Sequence, residues 1–192
     1  LCLPITLNIQ QTSAIPMTKA TVRRAISSDK YAVSELVKQA CVEFGWTFSS
    51  DFSTDDYDPD YYRLPSAMYV AEVNGSVVGS AAFLKKGIYG LLVRFYLRRD
   101  YRGHGIGLQL YNAITSVARL RHTQFLLLGT EPENLPYLFP FLLHNHFTRI
   151  DHPPVNFNRE TSSLYFQTPL NGLGNNGQSH NNRPRNSHKG SA

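Results

Sequence analysis

The sequence has little cysteine and no long apolar run. Its two cysteines, Cys2 and Cys41, are too few for a disulfide framework, so a reducing, cytoplasmic setting is expected. No run of about 18 apolar residues occurs, so no membrane-spanning helix is predicted. A disulfide-stapled secreted domain and an integral membrane protein are therefore excluded as interpretations.

Charge is scarce at the start of the chain and of one sign at its end. Residues 1–16 carry no charged side chain, and residues 171–192 carry three basic residues and no acid. Those three supply +3 of the net charge of +5, which leaves +2 for the residues before them. Because this remainder shows no concentrated basic patch, we expect neither nucleic acid nor a membrane as a partner.

Composition divides the chain into three parts. Residues 1–17 are predicted to be a poorly ordered extension, and residues 18–170 to form one domain large enough for a full core. Residues 171–192 are rich in Asn, Gly, Ser and His and lack a periodic apolar pattern. They are predicted to be a disordered tail, because they bury nothing that would offset the entropy lost on ordering.

Apolar periodicity predicts an α/β domain with helices covering a mixed sheet. Strands are predicted at residues 21–26, 68–73, 76–84, 88–97, 124–128, 147–150 and 163–167, with helices from a cap at 27–29 to 44, from about 106 to 120, and at 133–144. Asn74-Gly75 predicts a hairpin turn with positive φ at both residues. Cys41 falls on the apolar face of the first helix and is expected in the core.

The most informative segment is the glycine-rich turn at residues 97–107, between a strand and an amphipathic helix. The first amides of a helix have no internal partner and, with the helix dipole, they attract anions. Gly103, Gly105 and Gly107 would let the main chain approach a phosphate, and Arg102 would add a charged donor. A P-loop would need Lys-Ser/Thr after the last glycine, and this segment lacks it. A dinucleotide-binding fingerprint would need a different glycine spacing, and it would lie in the first βαβ unit. A glycine-rich connection that binds no ligand is the alternative interpretation of this segment.

The motif Arg102-x-x-Gly105-x-Gly107 resembles the Gln/Arg-x-x-Gly-x-Gly/Ala pyrophosphate loop of the GNAT acyltransferase superfamily. Its flanks are similar too: Arg23-x-Ala25-x-x-x-Asp29 resembles the family's first strand and helix cap, and Val70-Ala71-Glu72-x-Asn74-Gly75-x-Val77-Val78-Gly79 its next two strands. The likeness covers about residues 19–155. It implies a GNAT-like fold, with a mixed, mostly antiparallel sheet, a splayed parallel strand pair and helices on both faces.

The resemblance also implies an acyl-CoA-dependent N-acetyltransferase that uses acetyl-CoA as co-substrate, needs no metal, and acetylates a primary amine of a small molecule, amino acid or peptide by direct attack. The coenzyme's pantetheine arm would pair with one splayed strand and its pyrophosphate would meet the glycine turn. The implied coenzyme-binding residues are Phe95, Tyr96, Leu97, Arg102, Gly103, His104, Gly105, Ile106, Gly107, Leu108 and Asn134. The family's frequent homodimer is allowed, although no residue indicates an interface.

Catalysis is where the sequence departs from the family. The tyrosine that often protonates the leaving thiolate falls on Phe141 or Leu142, and neither side chain can donate a proton. Tyr137, one turn earlier, is the one catalytic residue predicted, with simple packing as its alternative. The strand position that carries a glutamate in some members is Gly129 here, so no general base is assigned.

Two further groups of residues allow more than one interpretation. The segment Trp46–Tyr62 contains five aspartates and six aromatic residues. In the family this region shapes the acceptor pocket, so it would suit a cationic amine, and a solvated acidic loop is the alternative. His144, His146 and His152 suggest a metal, but they lack a cysteine or an acid cluster at ligand spacing, and no metal is predicted.

Three functions are thus compatible with the sequence. The first is an N-acetyltransferase. The second is a coenzyme-binding module that has lost catalysis and keeps acyl-CoA as a sensory or structural ligand. The third is a nucleic-acid or protein-interaction domain that works through its basic tail. Amine-dependent release of the coenzyme thiol separates the first from the second, and salt-sensitive binding that needs residues 171–192 would indicate the third.

Overall fold

The structure is a computed structural model, and it describes residues 19–45, 62–63, 66–156 and 164–170. Within these ranges the chain forms strands β1 (Thr21–Arg24), β2 (Ala67–Val73), β3 (Ser76–Lys86), β4 (Tyr89–Leu97), β5 (Phe125–Thr130), β6 (Thr148–Ile150) and β7 (Leu164–Pro169), and helices α1 (Lys30–Phe44), α2 (Ile106–Leu120) and α3 (Leu135–His144). The predicted extension, the predicted tail and most of the acidic, aromatic segment lie outside the described residues.

The strands form one sheet in the order β1-β2-β3-β4-β5-β7-β6. Five of the six neighbouring pairs are antiparallel, namely β1–β2, β2–β3, β3–β4, β5–β7 and β7–β6. The central pair, β4 with β5, is parallel and is joined through α2. The prediction of a mixed, mostly antiparallel sheet with one parallel pair is confirmed.

Helices cover both faces of this sheet. Alternate residues of β4 point to opposite faces, so Leu91 and Val93 belong to one core cluster and Leu92 to the other. The first cluster contains the apolar face of α1, and the second contains those of α2 and α3. Cys41 is buried in the α1 cluster, where burial raises the pKa of its thiol, so its predicted core position is confirmed.

Local turn chemistry follows the sequence prediction closely. Asn74 and Gly75 connect β2 to β3 with φ of 51° and 75°, as a two-residue hairpin requires. Gly45 ends α1 in the left-handed region, at φ 71°, and its amide donates to the carbonyl of Cys41. These positive φ values explain why asparagine and glycine occupy the three positions.

The predicted cap segment, residues 27–29, ends at Asp29, which is the N-cap residue of α1. Asp29 precedes α1, yet within the described chain its carboxylate makes no capping bond to that helix. It accepts hydrogen bonds from the two Nη atoms of Arg23 at 2.7 and 2.9 Å and from the amide of Ile26 at 2.9 Å. Asp29 therefore connects the start of α1 to β1, because a buried carboxylate forms charge-assisted hydrogen bonds with a nearby guanidinium.

Helix α3 contains two prolines and is nevertheless continuous from Leu135 to His144. Pro136 lies in the first turn, where a missing N–H costs no helical hydrogen bond. Pro140 lies in the interior, where its missing N–H removes one helical hydrogen bond. None of the helices in the described ranges combines the length and hydropathy needed to cross a bilayer.

Candidate functional site

The site begins where the two parallel strands part. The paired register of β4 and β5 ends at Leu92 and Leu128, whereas β4 continues to Leu97. On their outer sides both strands stay paired, β4 with β3 and β5 with β7. The two strands therefore diverge, and the last residues of β4 form one wall of the gap.

A bulge in β4 accounts for this divergence. Ser80 pairs with Tyr96 and Ala82 with Val93, so β4 holds one residue more than β3 over this stretch. Arg94 lies inside it with φ 53°, and its carbonyl accepts a hydrogen bond from the Ser80 hydroxyl at 2.9 Å. A bulge bends its strand and increases the local twist, which turns the end of β4 away from β5.

The glycine turn follows β4 directly. Gly103 and Gly105 both have φ of 77°, and a Cβ on either would meet no atom of the described residues within 4 Å. Glycine is therefore required here by backbone conformation and not by crowding. Both backbone positions face open space, where a ligand could approach the main chain.

The N-terminus of α2 is the strongest candidate for binding an anion. Gly105 is its N-cap, and within the described chain no side chain caps the helix. The amide of Gln109 donates to the Gly105 carbonyl at 3.1 Å, so the amides of Ile106, Gly107 and Leu108 precede the first helical bond. These amides and the positive end of the helix dipole favour a phosphate.

This helix end lies against the end of β4. A Cβ on Gly107 would lie 3.7 Å from Cζ of Phe95 and 3.9 Å from Cδ2 of Leu97, which are ordinary contact distances. The predicted pyrophosphate turn and the predicted pantetheine strand are thus neighbours in space. An extended ligand could contact both at once.

Arg102 lies beside this turn, but its guanidinium is already engaged. Its two Nη atoms donate to the carboxylate of Glu43 at 2.7 and 2.8 Å, and its Nε donates to the carbonyl of Leu97 at 3.0 Å. The ring of Phe44 lies 5.6 Å from its Cζ. The sequence predicts a side-chain donor to a phosphate, whereas the structure turns that side chain towards α1 and the end of β4.

Asn134 supplies a buried polar atom at the start of α3. The residue is 9 % exposed, and its Oδ1 has no hydrogen-bond partner among the described residues. It is also the N-cap residue of α3 without a side-chain capping bond in that part of the chain. An unpaired buried acceptor is costly, so this oxygen is a candidate acceptor for a ligand N–H group.

The aromatic residues of α3 have two different environments. Tyr137 is 64 % exposed, and its ring meets that of Phe44 edge-on at 5.5 Å. Phe141, one of the two positions where the resemblance places a tyrosine, packs against Phe95 at 5.0 Å and Tyr111 at 5.2 Å. Phe141 therefore belongs to the packing behind β4, while Tyr137 keeps contact with solvent.

The other predicted residues are placed as follows. Phe95, Tyr96 and Leu97 are half-buried along the wall of the gap, Ile106 is buried, and His104 and Leu108 are exposed. His144, His146 and His152 are also exposed, and the described residues contain no group of three side chains able to hold a metal ion. The histidines thus belong to the surface.

Three residues of this site are missed by sequence reasoning. Arg94 gives no indication of its positive φ, because arginine has no preference for the left-handed region. Phe44 is expected only to pack with the apolar face of the first helix, and Glu43 to be an ordinary surface residue. The position of Glu43 does indicate a further contact, because a negative charge in the last turn of a helix interacts unfavourably with the helix dipole unless another group compensates for it.

Comparisons with known proteins agree with this geometry. The sequence profile of the acetyltransferase (GNAT) family matches residues 34–138, more than half of the chain. A GNAT-family acetyltransferase from Staphylococcus aureus Mu50 superposes with a TM-score of 0.72 at 18% identity, covering 79% of this chain and 99% of that one. None of the curated proteins matches.

Two further solved structures contain ligands. The PaiA N-acetyltransferase from Thermoplasma acidophilum, in complex with coenzyme A, has a TM-score of 0.64 at 14% identity, covering 79% of this chain and 99% of that one. YncA from Salmonella typhimurium, with its cofactor acetyl-CoA, has a TM-score of 0.62 at 22% identity, covering 81% and 96%. At these identities the likeness shows the fold alone.

Proposed function

Since this chain belongs to the GNAT acetyltransferase family, and is therefore an acyl-CoA-dependent N-acyltransferase, we propose that it transfers an acetyl group from acetyl-CoA to a primary amine. The acceptor would be a small molecule, an amino acid or a peptide. One observation carries the proposal. The parallel strands diverge beside an uncapped helix N-terminus, which gives an extended, phosphate-bearing donor both a strand wall and an anion site.

The pyrophosphate would be held mainly by the main chain. The amides of residues 103–108 lie in the turn and at the start of α2, where the helix dipole favours negative charge. Arg102 contributes less directly, because its guanidinium already binds Glu43 and Leu97. The pyrophosphate would therefore depend on the backbone conformation of the turn more than on the side chains between the glycines.

The pantetheine arm would lie along Phe95, Tyr96 and Leu97 at the end of β4. An extended arm with amide groups can pair with a strand edge as another strand would. Asn134 would take part from the opposite wall, since its buried Oδ1 can accept a hydrogen bond from an amide N–H of the arm. PaiA and YncA, which contain coenzyme A and acetyl-CoA, are consistent with such a donor.

The transfer itself would be a direct attack by the amine. The nitrogen lone pair forms the new C–N bond as the C–S bond breaks, and the amine proton passes to water or to a base. A backbone N–H in the bulge around Arg94 would stabilise the oxyanion. Tyr137 would return a proton to the leaving thiolate.

A second function is favoured by one specific observation. The position of the family's usual proton donor falls on Phe141 or Leu142, which pack against or in the core and cannot donate a proton, so a coenzyme-binding module without catalysis remains the alternative. Under either function we propose that residues 18–170 form the coenzyme-binding domain, with residues 1–17 as an extension and 171–192 as a tail.

The amine requirement can be tested by thiol release. The protein is mixed with acetyl-CoA and a panel of amines (polyamines, amino acids, peptide N-termini), and free coenzyme thiol is followed with a chromogenic thiol reagent. Amine-dependent release is expected, with cationic amines preferred if the acidic segment lines the acceptor pocket. Coenzyme binding without release by any amine would favour the non-catalytic module.

A further inference from the structure

The contact between Glu43 and Arg102 connects two elements that are 59 residues apart in the sequence. Glu43 lies in the last turn of α1, and Arg102 opens the glycine turn. The carboxylate and the guanidinium meet through two parallel hydrogen bonds, and the side chains are 30 % exposed for Arg102 and 21 % for Glu43. Bidentate pairing of this kind fixes orientation as well as distance.

Arg102 extends this link to a third element. Its Nε donates to the carbonyl of Leu97, the last residue of β4, while the ring of Phe44 lies beside its guanidinium. The side chain therefore joins the end of α1, the end of β4 and the turn before α2. Three of its five N–H donors are used in these bonds, which leaves one N–H on each Nη atom for any other acceptor.

We propose that Glu43 and Arg102 are positioning residues for coenzyme binding, an inference that rests on the proposed function. The bound coenzyme must contact the end of β4 and the first amides of α2 at the same time. The Glu43–Arg102 pair sets the separation of these two surfaces, because Arg102 holds the Leu97 carbonyl while Glu43 holds Arg102. Neither side chain needs to touch the coenzyme for this role.

The opposite assignment makes a distinguishable prediction. If Arg102 binds the pyrophosphate directly, Glu43 competes for the guanidinium, and weakening the pair should leave coenzyme affinity unchanged or increase it. If the pair has a positioning role, weakening it should decrease affinity. Variants that keep both charges are needed, since removing the carboxylate would by itself favour an anionic ligand.

Glu43→Asp and Arg102→Lys preserve charge and change geometry. The aspartate is one methylene shorter, and lysine lacks the planar fork that serves Glu43 and Leu97 together. The matched control is Glu35→Asp, because Glu35 is exposed on the same helix and forms its ion pair, among the described residues, with Lys38 of that helix. Coenzyme A is titrated into each variant by calorimetry, and folding is checked by circular dichroism.

Glu43→Asp and Arg102→Lys are each expected to raise the Kd for coenzyme A about tenfold, equivalent to 1.4 kcal/mol. The double variant should bind coenzyme A with the same affinity as the weaker-binding single variant, because both substitutions disrupt the same interaction. Glu35→Asp should bind as the wild type does. With an acceptor from the amine screen, KM for acetyl-CoA should rise at unchanged kcat, which general destabilisation of a folded protein would not produce.

Two results would overturn the proposal: an unchanged or lower Kd in Glu43→Asp, or additive losses in the double variant. A lower Kd would assign Arg102 as a direct phosphate ligand. Failure of the wild type to bind coenzyme A is a different outcome, because it would contradict the proposed function itself. Binding by the wild type with no effect of these variants would remove only the positioning role.

Discussion

At the scale of single residues, Asn134 offers a test that separates binding from stability. Asn134→Ala removes a buried oxygen that has no partner among the described residues, so the unliganded protein should keep its Tm. The gain in Tm from acetyl-CoA should shrink, because the coenzyme loses an acceptor. Thermal unfolding with and without acetyl-CoA measures both effects.

Asn145→Ala is the matched control for this change. Asn145 is equally buried, but its Nδ2 donates to the carbonyl of Phe141 at 2.8 Å. Its loss should lower the Tm of the unliganded protein and leave the coenzyme-induced shift intact. The reverse pattern, a lower Tm for Asn134→Ala with an unchanged shift, would assign Asn134 to structure alone.

Tyr137 can be tested by removing one oxygen atom. If the hydroxyl protonates the leaving thiolate, Tyr137→Phe should lower kcat by about 100-fold or more at unchanged KM for acetyl-CoA. The ring contact with Phe44 should survive, since phenylalanine keeps the edge-on geometry. Tyr31→Phe, on an exposed tyrosine at the start of α1, is the control and should leave kcat unchanged. Full activity in Tyr137→Phe would exclude the proton-donor role.

Individual residues were predictable where backbone geometry restricts residue type. Gly105, Asn74 and Gly75 all adopt positive φ, and the sequence indicates each of them. Arg94 adopts positive φ as well, but nothing in its side chain indicates it. Glu43 could not be connected to Arg102 from sequence, because their contact depends on how α1 packs across the sheet.

At the scale of elements, the glycine turn and the helix behind it respond differently to alanine. Gly105→Ala should lower the free energy of unfolding by about 1–2 kcal/mol, the cost of a Cβ in the left-handed region. Gly107→Ala should raise it by up to about 1 kcal/mol, because alanine favours a helix and its Cβ would make ordinary contacts. Urea unfolding measures both. Equal stability of the two variants would contradict the turn geometry.

The connection between β1 and α1 makes stability depend on pH. The hydrogen bonds from Arg23 lower the pKa of Asp29 below its ordinary value of 3.8. The folded state then holds the proton less tightly than the unfolded chain does. The resulting stabilisation is complete above about pH 4 and is lost as the pH falls towards the folded pKa.

Asp29→Asn should therefore lower the free energy of unfolding at pH 7 and flatten its decline below pH 4. Urea unfolding between pH 3 and pH 7 measures the slope, and the exposed Asp151 supplies the control Asp151→Asn, which should follow the wild type. An unchanged slope in Asp29→Asn would show that the Arg23–Asp29 contact does not contribute to acid sensitivity.

Element types and order were predictable, but their ends and pairing were less so. The periods of the apolar residues indicate each strand and helix, and β5 extends only two residues beyond its prediction, to Thr130. The bulge in β4 has no sequence signature, although it is what turns β4 from β5. The carboxylate of Asp29 binds Arg23 on β1 and makes no capping bond to α1 among the described residues, a contact that the sequence does not indicate.

At the scale of the whole molecule, the site is a product of topology. The parallel pair β4–β5 requires a crossover, and α2 supplies it, so the helix N-terminus necessarily lies near the end of β4. The glycine motif indicates an anion-binding site only when it lies in that position. This is why the resemblance to the family, which fixes the order of elements, assigns residues to the coenzyme side more fully than to the acceptor side.

The central claim is that acetyl-CoA binds at the N-terminus of α2, and the melting temperature tests it most directly. Gly107→Glu adds a carboxylate beside Phe95 and Leu97, at a glycine that has no positive φ and so tolerates a side chain. Gln109→Glu adds the same charge at the exposed position two residues later. Both variants should fold, because acids are favoured near a helix N-terminus.

Acetyl-CoA at 100 times its Kd stabilises a protein by about 2.7 kcal/mol, roughly 5–10 °C in Tm for a domain of this size. The account predicts such a rise for the wild type and, reduced only modestly, for Gln109→Glu, with none for Gly107→Glu. A folded wild type whose Tm does not respond to millimolar acetyl-CoA, or an equal rise in Gly107→Glu, would contradict it.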